Sequence, residues 1–254
     1  MRTDEWIVGI PSRARVSQLN HKTLRTLAEA GVPSERVIVT VHRDEYAAYA
    51  NGLDHALYGV LFTHEHLNDV SGAHNSLNDY VVTGNLVSLD DDVEGVYRAA
   101  DQETLERVTD LPEFFSRAFR LCTGLGASLW GVYPVRNAFY MSPGRIRTGL
   151  SFCVGHMFGQ ILRDMPHERT VLGGKDDYER SLQHFMHDGC VVRFDDIACA
   201  SKVYNGEGGL QGIRTPAEME KHVQELERRF PGLVRRKRGR ATEYPEIRLV
   251  NPRP

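Results

Sequence analysis

The sequence predicts an α/β protein whose mostly parallel central sheet carries helices on both faces. Three observations predict it. Short continuous apolar runs recur through the first ninety residues, each uniform enough for a strand buried on both sides. Segments with helical spacing alternate with them, which is the pattern of βαβ units. Polar clusters follow several runs, at the carboxyl ends of strands where open sheets of this kind bind ligands.

The first strand is Trp6-Ile7-Val8-Gly9-Ile10, stopped by Pro11-Ser12. Helical spacing follows from Val16 to Ala30, through Val16, Leu19, Leu24, Leu27 and Ala28, and Gly31 ends it. Val37 to Val41 is a second strand, His42 to Asn51 a short helix and Leu57 to Phe62 a third strand. Asp69 to Val82 reads as a helix closed by Gly84, and Asn85 to Leu89 as the fourth strand. The second half is less regular. Ala100 to Thr123 reads as helical with a break at Leu111-Pro112, and Ser128–Tyr133, Phe152–Phe158, Cys190–Phe194 and Ala198–Val203 read as strands. Residues 173–182 are a glycine turn entering a helix. Thr215 caps a last helix, with Pro216 at its first position and Pro231-Gly232 beyond its end near Arg229.

A chain of 254 residues with 41% apolar content can bury one large core, with at most a small appendage. The expected division is residues 1–215 as one domain and 216–254 as a helix and basic tail that pack on it or extend it. Net charge is −3, yet Arg228 to Arg240 holds seven Arg or Lys and no acid. That run reads either as a polyanion contact or as an ordinary basic helix end. Cys122, Cys153, Cys190 and Cys199 lack zinc or CxxC spacing and read as buried hydrophobes in a reducing compartment. No apolar run approaches about 18 residues, so no membrane span is expected. The N-terminal residues lack a secretory pattern, so a cytoplasmic location is expected.

The chemistry concentrates at Asp90-Asp91-Asp92, directly after the fourth strand. Three adjacent carboxylates repel one another and lose hydration beside a core, and a hard divalent cation relieves both costs. Mg²⁺ or Mn²⁺ held by one or two carboxylates plus a substrate diphosphate fits this. A solvated turn capping the next element is the plainer alternative. Asp92 is the best direct ligand, Asp90 faces the ribose or a metal-bound water, and Asp91 supports them. Asp176-Asp177, after Gly173-Gly174 and before a helix, is either a base beside an acceptor hydroxyl or a helix cap. His64-Glu65-His66 reads as a solvated loop or a metal pair. No Walker A, GxGxxG, GxSxG or HExxH pattern occurs, which argues against P-loop, Rossmann, serine-hydrolase and zincin chemistry.

Four ordered motifs together carry a resemblance. Ile7-Val8-Gly9-Ile10-Pro11-Ser12-Arg13, Leu89-Asp90-Asp91-Asp92, Gly174-Lys175-Asp176-Asp177-Tyr178-Glu179 and Lys202-Val203-Tyr204-Asn205 to Gly208-Gly209 resemble a glycosyltransferase of the GT-A fold. The likeness spans roughly residues 6–215 and is greatest to the bacteriophage TET-associated glycosyltransferases, which are associated with glycosylating 5-hydroxymethylcytosine in phage DNA. It implies a GT-A-like sheet with a nucleotide-sugar half over about 1–98 and a mixed acceptor-side half over about 99–215. It implies transfer from a nucleoside diphosphate sugar, expected to be a UDP-sugar, with Mn²⁺ or Mg²⁺. A phage-encoded chain would then act in the host cytoplasm.

Carried over by position, Pro11, Ser12 and Arg13 would lie against base and ribose, and His42 joins them as a polar strand-end residue. Asn75 would sit near the ribose or diphosphate, although His74 stands where the wider superfamily often has Arg. Asp90, Asp91 and Asp92 match the nucleotide and metal motif, with Asp90 and Asp92 as ligands. Asp177 matches the acceptor base, and a one-residue shift selects Asp176 instead. Lys202 and Tyr204 would belong to a loop closing on the donor phosphates. The late histidine ligand common in this fold has no clear match. Arg235, Arg236, Lys237, Arg238 and Arg240 would hold a DNA backbone. Two other readings stand beside this one: a transferase acting on a polysaccharide, lipid-linked or protein acceptor, and a nucleic-acid-binding protein with a degenerate nucleotide site.

Overall fold

The structure is a computed structural model, and it describes residues 2–66, 69–201, 215–237 and 244–252. The first half alternates as its apolar runs require. β1 (Trp6–Ser12) leads through α1 (Val16–Leu19), a π-helical stretch (Asn20–Leu24) and α2 (Arg25–Glu29) into β2 (Val37–His42). Next come α3 (Tyr46–Gly52), β3 (Val60–His64), α4 (Val70–Val81) and β4 (Thr83–Leu89). The strands are parallel, with β1 between β2 and β4 and β3 outside β2. Val8, Ile10, Val39, Val41, Val87 and Leu89 pack on one side with Leu19, Leu24 and Leu27. Ile38 and Leu86 pack on the other with Leu77 of α4. Burial on both faces is why these strands lack alternation in sequence.

The second half follows the sequence less closely. Gly95–Ala99 forms β5, and the residues from Ala100 that were expected to begin a long helix instead form a turn, in which Asp101 Oδ1 accepts the N–H groups of Glu103 and Thr104, and then β6 (Leu105–Arg107). The helix proper, α5 (Leu111–Leu125), starts where the sequence suggested a break: Asp110 accepts the Glu113 N–H, and Pro112 sits in the first turn. β7 (Leu129–Val132) agrees with the sequence. β8 (Ile146–Gly149) was not anticipated, and the strand expected at 152–158 lies later, as β9 (Met157–Arg163). α6 (Asp176–Asp188), β10 (Val191–Phe194) and β11 (Ile197–Ala200) complete this half.

The main sheet runs β3-β2-β1-β4-β9-β7-β10-β8. β9 is antiparallel to β4 and β7, and β8 to β10, so six strands point one way and two the other. β11, β5 and β6 form a small antiparallel sheet. Trp130 is fully buried among Phe114, Phe115, Phe119 and Phe194, so it belongs to the core and not to a sugar pocket. α7 (Pro216–Arg229), β12 (Val234–Arg236) and β13 (Ile247–Leu249) follow. Val223, Leu226, Val234 and Ile247 join Leu182 of α6 in a second core, so this unit packs directly beside the start of α6.

Candidate functional site

The carboxyl ends of β1, β2, β3 and β4 open on one cavity of about 720 Å³, which the start of α6 also lines. It is lined by Pro11, Ser12, Arg13, His42, Asp90, Asp91, Asp92, Asp176 and Asp177, which the sequence had placed in separate motifs. Arg15, His64, His66, His74, His156 and Lys175 line it as well.

The three aspartates have different surroundings. Asp91 is buried; its carboxylate accepts from Ser12 Oγ at 2.6 Å and from Arg15 Nη1 at 2.9 Å. Ser12 also meets the Tyr49 hydroxyl at 2.8 Å, so β1, α3 and the β4 end are tied at one point. Ala14 takes a left-handed φ of 52° between Arg13 and Arg15, and its N–H is held by Glu45 at 3.1 Å. Asp92 accepts from Ser201 Oγ at 2.6 Å and lies 3.7 Å from Arg15. The Asp90 backbone is fixed by Thr23 Oγ1 on its carbonyl and by the His156 carbonyl on its N–H. Burial, then the charges of Asp92, Asp91 and Asp176, push the Asp90 carboxyl up to about 7.

That cluster fits a divalent cation. A carboxyl raised by burial and by like charges beside it is relieved by positive charge, and Asp90 and Asp92 provide hard oxygen donors of the type Mg²⁺ and Mn²⁺ prefer. Among the described residues His167, His187 and Asp188 bring ligand atoms within 4.8 Å of one another, but they do not line the cavity. Asp90 and Asp92 therefore suit an ion whose remaining positions belong to water and phosphate.

Across the cavity, the two carboxylates of α6 are distinguished by one partner. Asp176 is buried and bonded to Arg180 at 2.7 Å. That guanidinium is itself 2% exposed and stacks over Phe158 at 3.8 Å. Asp177 accepts only the adjacent Tyr178 N–H among the bonds of the described residues, and burial followed by the charge of Asp176 pushes its carboxyl up to about 6. Asp176 also raises Asp90, and His156 lies in the fields of both Asp92 and Asp177. The two acidic groups thus face one chamber.

A row of imidazoles forms the remaining wall. His42 and His64 meet edge to face at 6.1 Å, and His64 and His66 lie 5.8 Å apart. Burial, then His66 and His42, hold His64 down to about 4, so it is neutral at neutral pH. The sequence named His64 and His66 only as a loop or a metal pair; the rule that ligands gather at strand ends would have placed them here. His74 is also held down to about 4 by burial and Arg180, so it offers no positive charge in place of the absent arginine. Arg13 Nη1 is buried and unpartnered among the described residues, which leaves a cation available at the cavity wall.

Other expected residues sit elsewhere. Asn75 does not line the cavity: its amide donates to the Thr170 carbonyl at 2.8 Å and accepts the Thr170 N–H at 3.1 Å, holding α4 to that segment. Arg236 is paired with Glu220 and Glu227, and Lys237, which does line the cavity, with Glu246 at 3.2 Å. Arg235 is exposed. Lys202, Tyr204, Arg238 and Arg240 lie outside the described residues.

This architecture has solved counterparts. The crystal structure of Staphylococcus aureus TarS 1–349 superposes with a TM-score of 0.52 at 10% identity over 88% of this chain. The fold is GT-A-like. The mannosyltransferase PcManGT from Pyrobaculum calidifontis, in complex with GDP-Man and Mn²⁺, aligns over 61% of this chain at 12% identity with a TM-score of 0.40. The chain spans 65% of the TarS structure and 44% of the mannosyltransferase. No family model and no curated protein matches the sequence. No helix among the described residues is long and apolar enough to cross a membrane.

Proposed function

We propose that this chain is a metal-dependent glycosyltransferase that moves a sugar from a nucleoside diphosphate, with UDP the nucleotide we assign, to a hydroxyl acceptor. One observation carries the reading: the Asp90/Asp92 pair and Asp177 line the same cavity, on a GT-A-like sheet. The paired rings of His42 and His64, the second held neutral, suit a flat uncharged base, and Arg13 supplies charge for the diphosphate. Asp90 and Asp92 would hold Mg²⁺ or Mn²⁺, which supplies neutralisation of the departing diphosphate.

Asp177 takes the proton from the acceptor hydroxyl. The freed oxygen attacks the anomeric carbon in line, and the carbon–oxygen bond to the diphosphate breaks. A base raised to about 6 is ionised at neutral pH yet basic enough to share the proton in the transition state. Asp176 does not serve here because its charge is committed to Arg180.

The acceptor we assign is the hydroxymethyl oxygen of 5-hydroxymethylcytosine in phage DNA. Its support is the ordered set of four motifs and their resemblance to the phage enzymes. One observation favours a carbohydrate, lipid-linked or protein acceptor: the described part of the basic tail is answered by acids of the C-terminal unit at Arg236 and Lys237. Incubation with Mn²⁺, a panel of sugar nucleotides and hydroxymethylated DNA, followed by mass spectrometry of released nucleosides, separates the two. A hexose mass on hydroxymethylcytidine establishes the DNA acceptor. Transfer to a carbohydrate alone selects the second reading, and no nucleotide release with any donor overturns both.

A further inference from the structure

The segment between β7 and β8 leaves the cavity wall at Pro134 and Val135 and then exposes large apolar side chains. Phe139 is 68% exposed, Tyr140 60% and Val135 53%. The two rings meet edge to face at 5.1 Å. They are not there for want of anchoring. Ala138 and Met141, on either side of them, are buried, Met141 in a small core with Ala99 and Ala198. Tyr140 and Met141 N–H groups bond the Asn137 carbonyl, Phe139 N–H bonds Asn137 Oδ1, and Ser142 N–H bonds the Asp195 carbonyl. The turn is thus fixed, and its fixing turns Phe139 and Tyr140 outward. Adjacent exposed aromatics are uncommon on a soluble surface and mark contact sites.

Cations outnumber acids around them, and Asp196 is already faced by Arg98 at 4.0 Å. Arg145, Arg147 and Arg193 converge on one carboxylate, Asp195, at 3.8, 3.1 and 2.7 Å. Arg136 stacks over Tyr97 at 4.9 Å and makes no ion pair among the described residues. Three guanidinium groups therefore share one carboxylate, and a fourth has none. The C-terminal unit differs, because Arg228, Arg229, Arg236 and Lys237 each have a carboxylate partner.

We infer that this face, Arg136, Phe139, Tyr140, Arg145 and Arg147, is the platform that holds a single-stranded or locally opened nucleic-acid acceptor, its bases on the two rings and its phosphates on the arginines. The inference rests on the transferase reading for its purpose, since the platform adjoins the cavity through Val135. Aromatic rings beside uncompensated arginines are the combination that binds unpaired strands, because every base has a face to stack and every linkage a charge. A target inside a duplex must leave its stack to reach a cavity, and a stacking surface at the mouth receives it.

The test is fluorescence anisotropy of the full chain with a labelled single-stranded 20-mer over a range of salt. Phe139→Ala with Tyr140→Ala should weaken binding roughly 5- to 150-fold per ring, as base–aromatic contacts do. Arg136→Ala with Arg145→Ala should flatten the salt dependence by about two contacts, and Arg25→Ala, at an exposed arginine of α2, should change neither. The rings and guanidinium groups are exposed, so melting temperatures should hold and any loss is one of binding. Full affinity in the aromatic variant, or a loss confined to Arg235→Ala, overturns the platform. Equal binding of dextran sulfate, indifferent to the aromatic variant, also overturns it, because it shows a plain polyanion surface. Calorimetry of UDP with Mn²⁺ on the unaltered chain tests the donor site separately: no heat there defeats the transferase reading and leaves the platform result standing.

Discussion

Arg15 Nη1 lies 2.9 Å from Asp91 Oδ1, across 76 residues of sequence, and this contact divides the acidic triplet. With Ser12 on its other oxygen, Asp91 has its charge answered inside the protein. Asp90 and Asp92 remain for a cation. One arginine cannot neutralise three carboxylates, and burial followed by the charges of Asp92 and Asp91 raises the Asp90 carboxyl.

Removing a metal carboxylate should therefore cost chemistry before structure. Asp92→Asn should lower transfer by roughly 100- to 1000-fold, the range seen when one group stabilising transition-state charge is lost. Circular dichroism should keep the parent spectrum. Wild-type turnover in this variant would remove Asp92 from the mechanism.

Asp90 gives a pH signature in metal-free protein. Its folded value, about 7, stands above its ordinary 3.8. Between those values the folded chain keeps a proton the unfolded chain has lost, so this group's contribution falls as pH rises through the window and is gone above it. Buried neutral His64 and His74 act in the opposite sense, so the difference between variants is the clean measure. Asp90→Asn should melt above the parent at pH 8, with the gap closing toward pH 4. Mn²⁺ should raise the parent's melting temperature at pH 8 and the variant's much less.

The two α6 carboxylates should separate by kind of damage. Asp177→Asn should reduce kcat by about 100- to 10,000-fold with the fold retained, as for a lost general base. In the parent, the rate limited by this base should climb about tenfold per pH unit below 6 and level above it. Asp176→Ala leaves the buried Arg180 without a counter-charge and should cost roughly 3–5 kcal/mol of stability. Denaturant titration beside steady-state kinetics distinguishes them, and equal kinetic loss in two equally stable variants would contradict the assignment.

Gly159 provides a test of the sheet itself. It pairs with Trp130 across β9 and β7, and a Cβ there would lie 2.2 Å from the indole Nε1. Gly159→Ala should destabilise by about 1–3 kcal/mol or more, because the ring sits in a filled aromatic core with no room to yield. An unchanged denaturation midpoint would mean the indole does not lie across that strand.

Local pattern determined a good deal alone. Uniform apolar runs at 6–10, 37–41 and 85–89 announced strands buried on both faces, and the acidic triplet lies at the end of one, on the cavity. Those signals are written within ten residues, where side-chain spacing and backbone period are linked. It was the tertiary structure that committed Asp91 to Arg15 and Asp176 to Arg180, gave Arg236 its acids, put Trp130 in the core and drew His64 into the cavity wall. Most of these depend on which charges and rings meet after distant segments pack, and the α6 pair on how deeply its helix is buried. Desolvation and Coulomb energy depend on that packing and not on neighbouring residues alone, so a run of aspartates or arginines reads the same in sequence whether or not its charge is already answered.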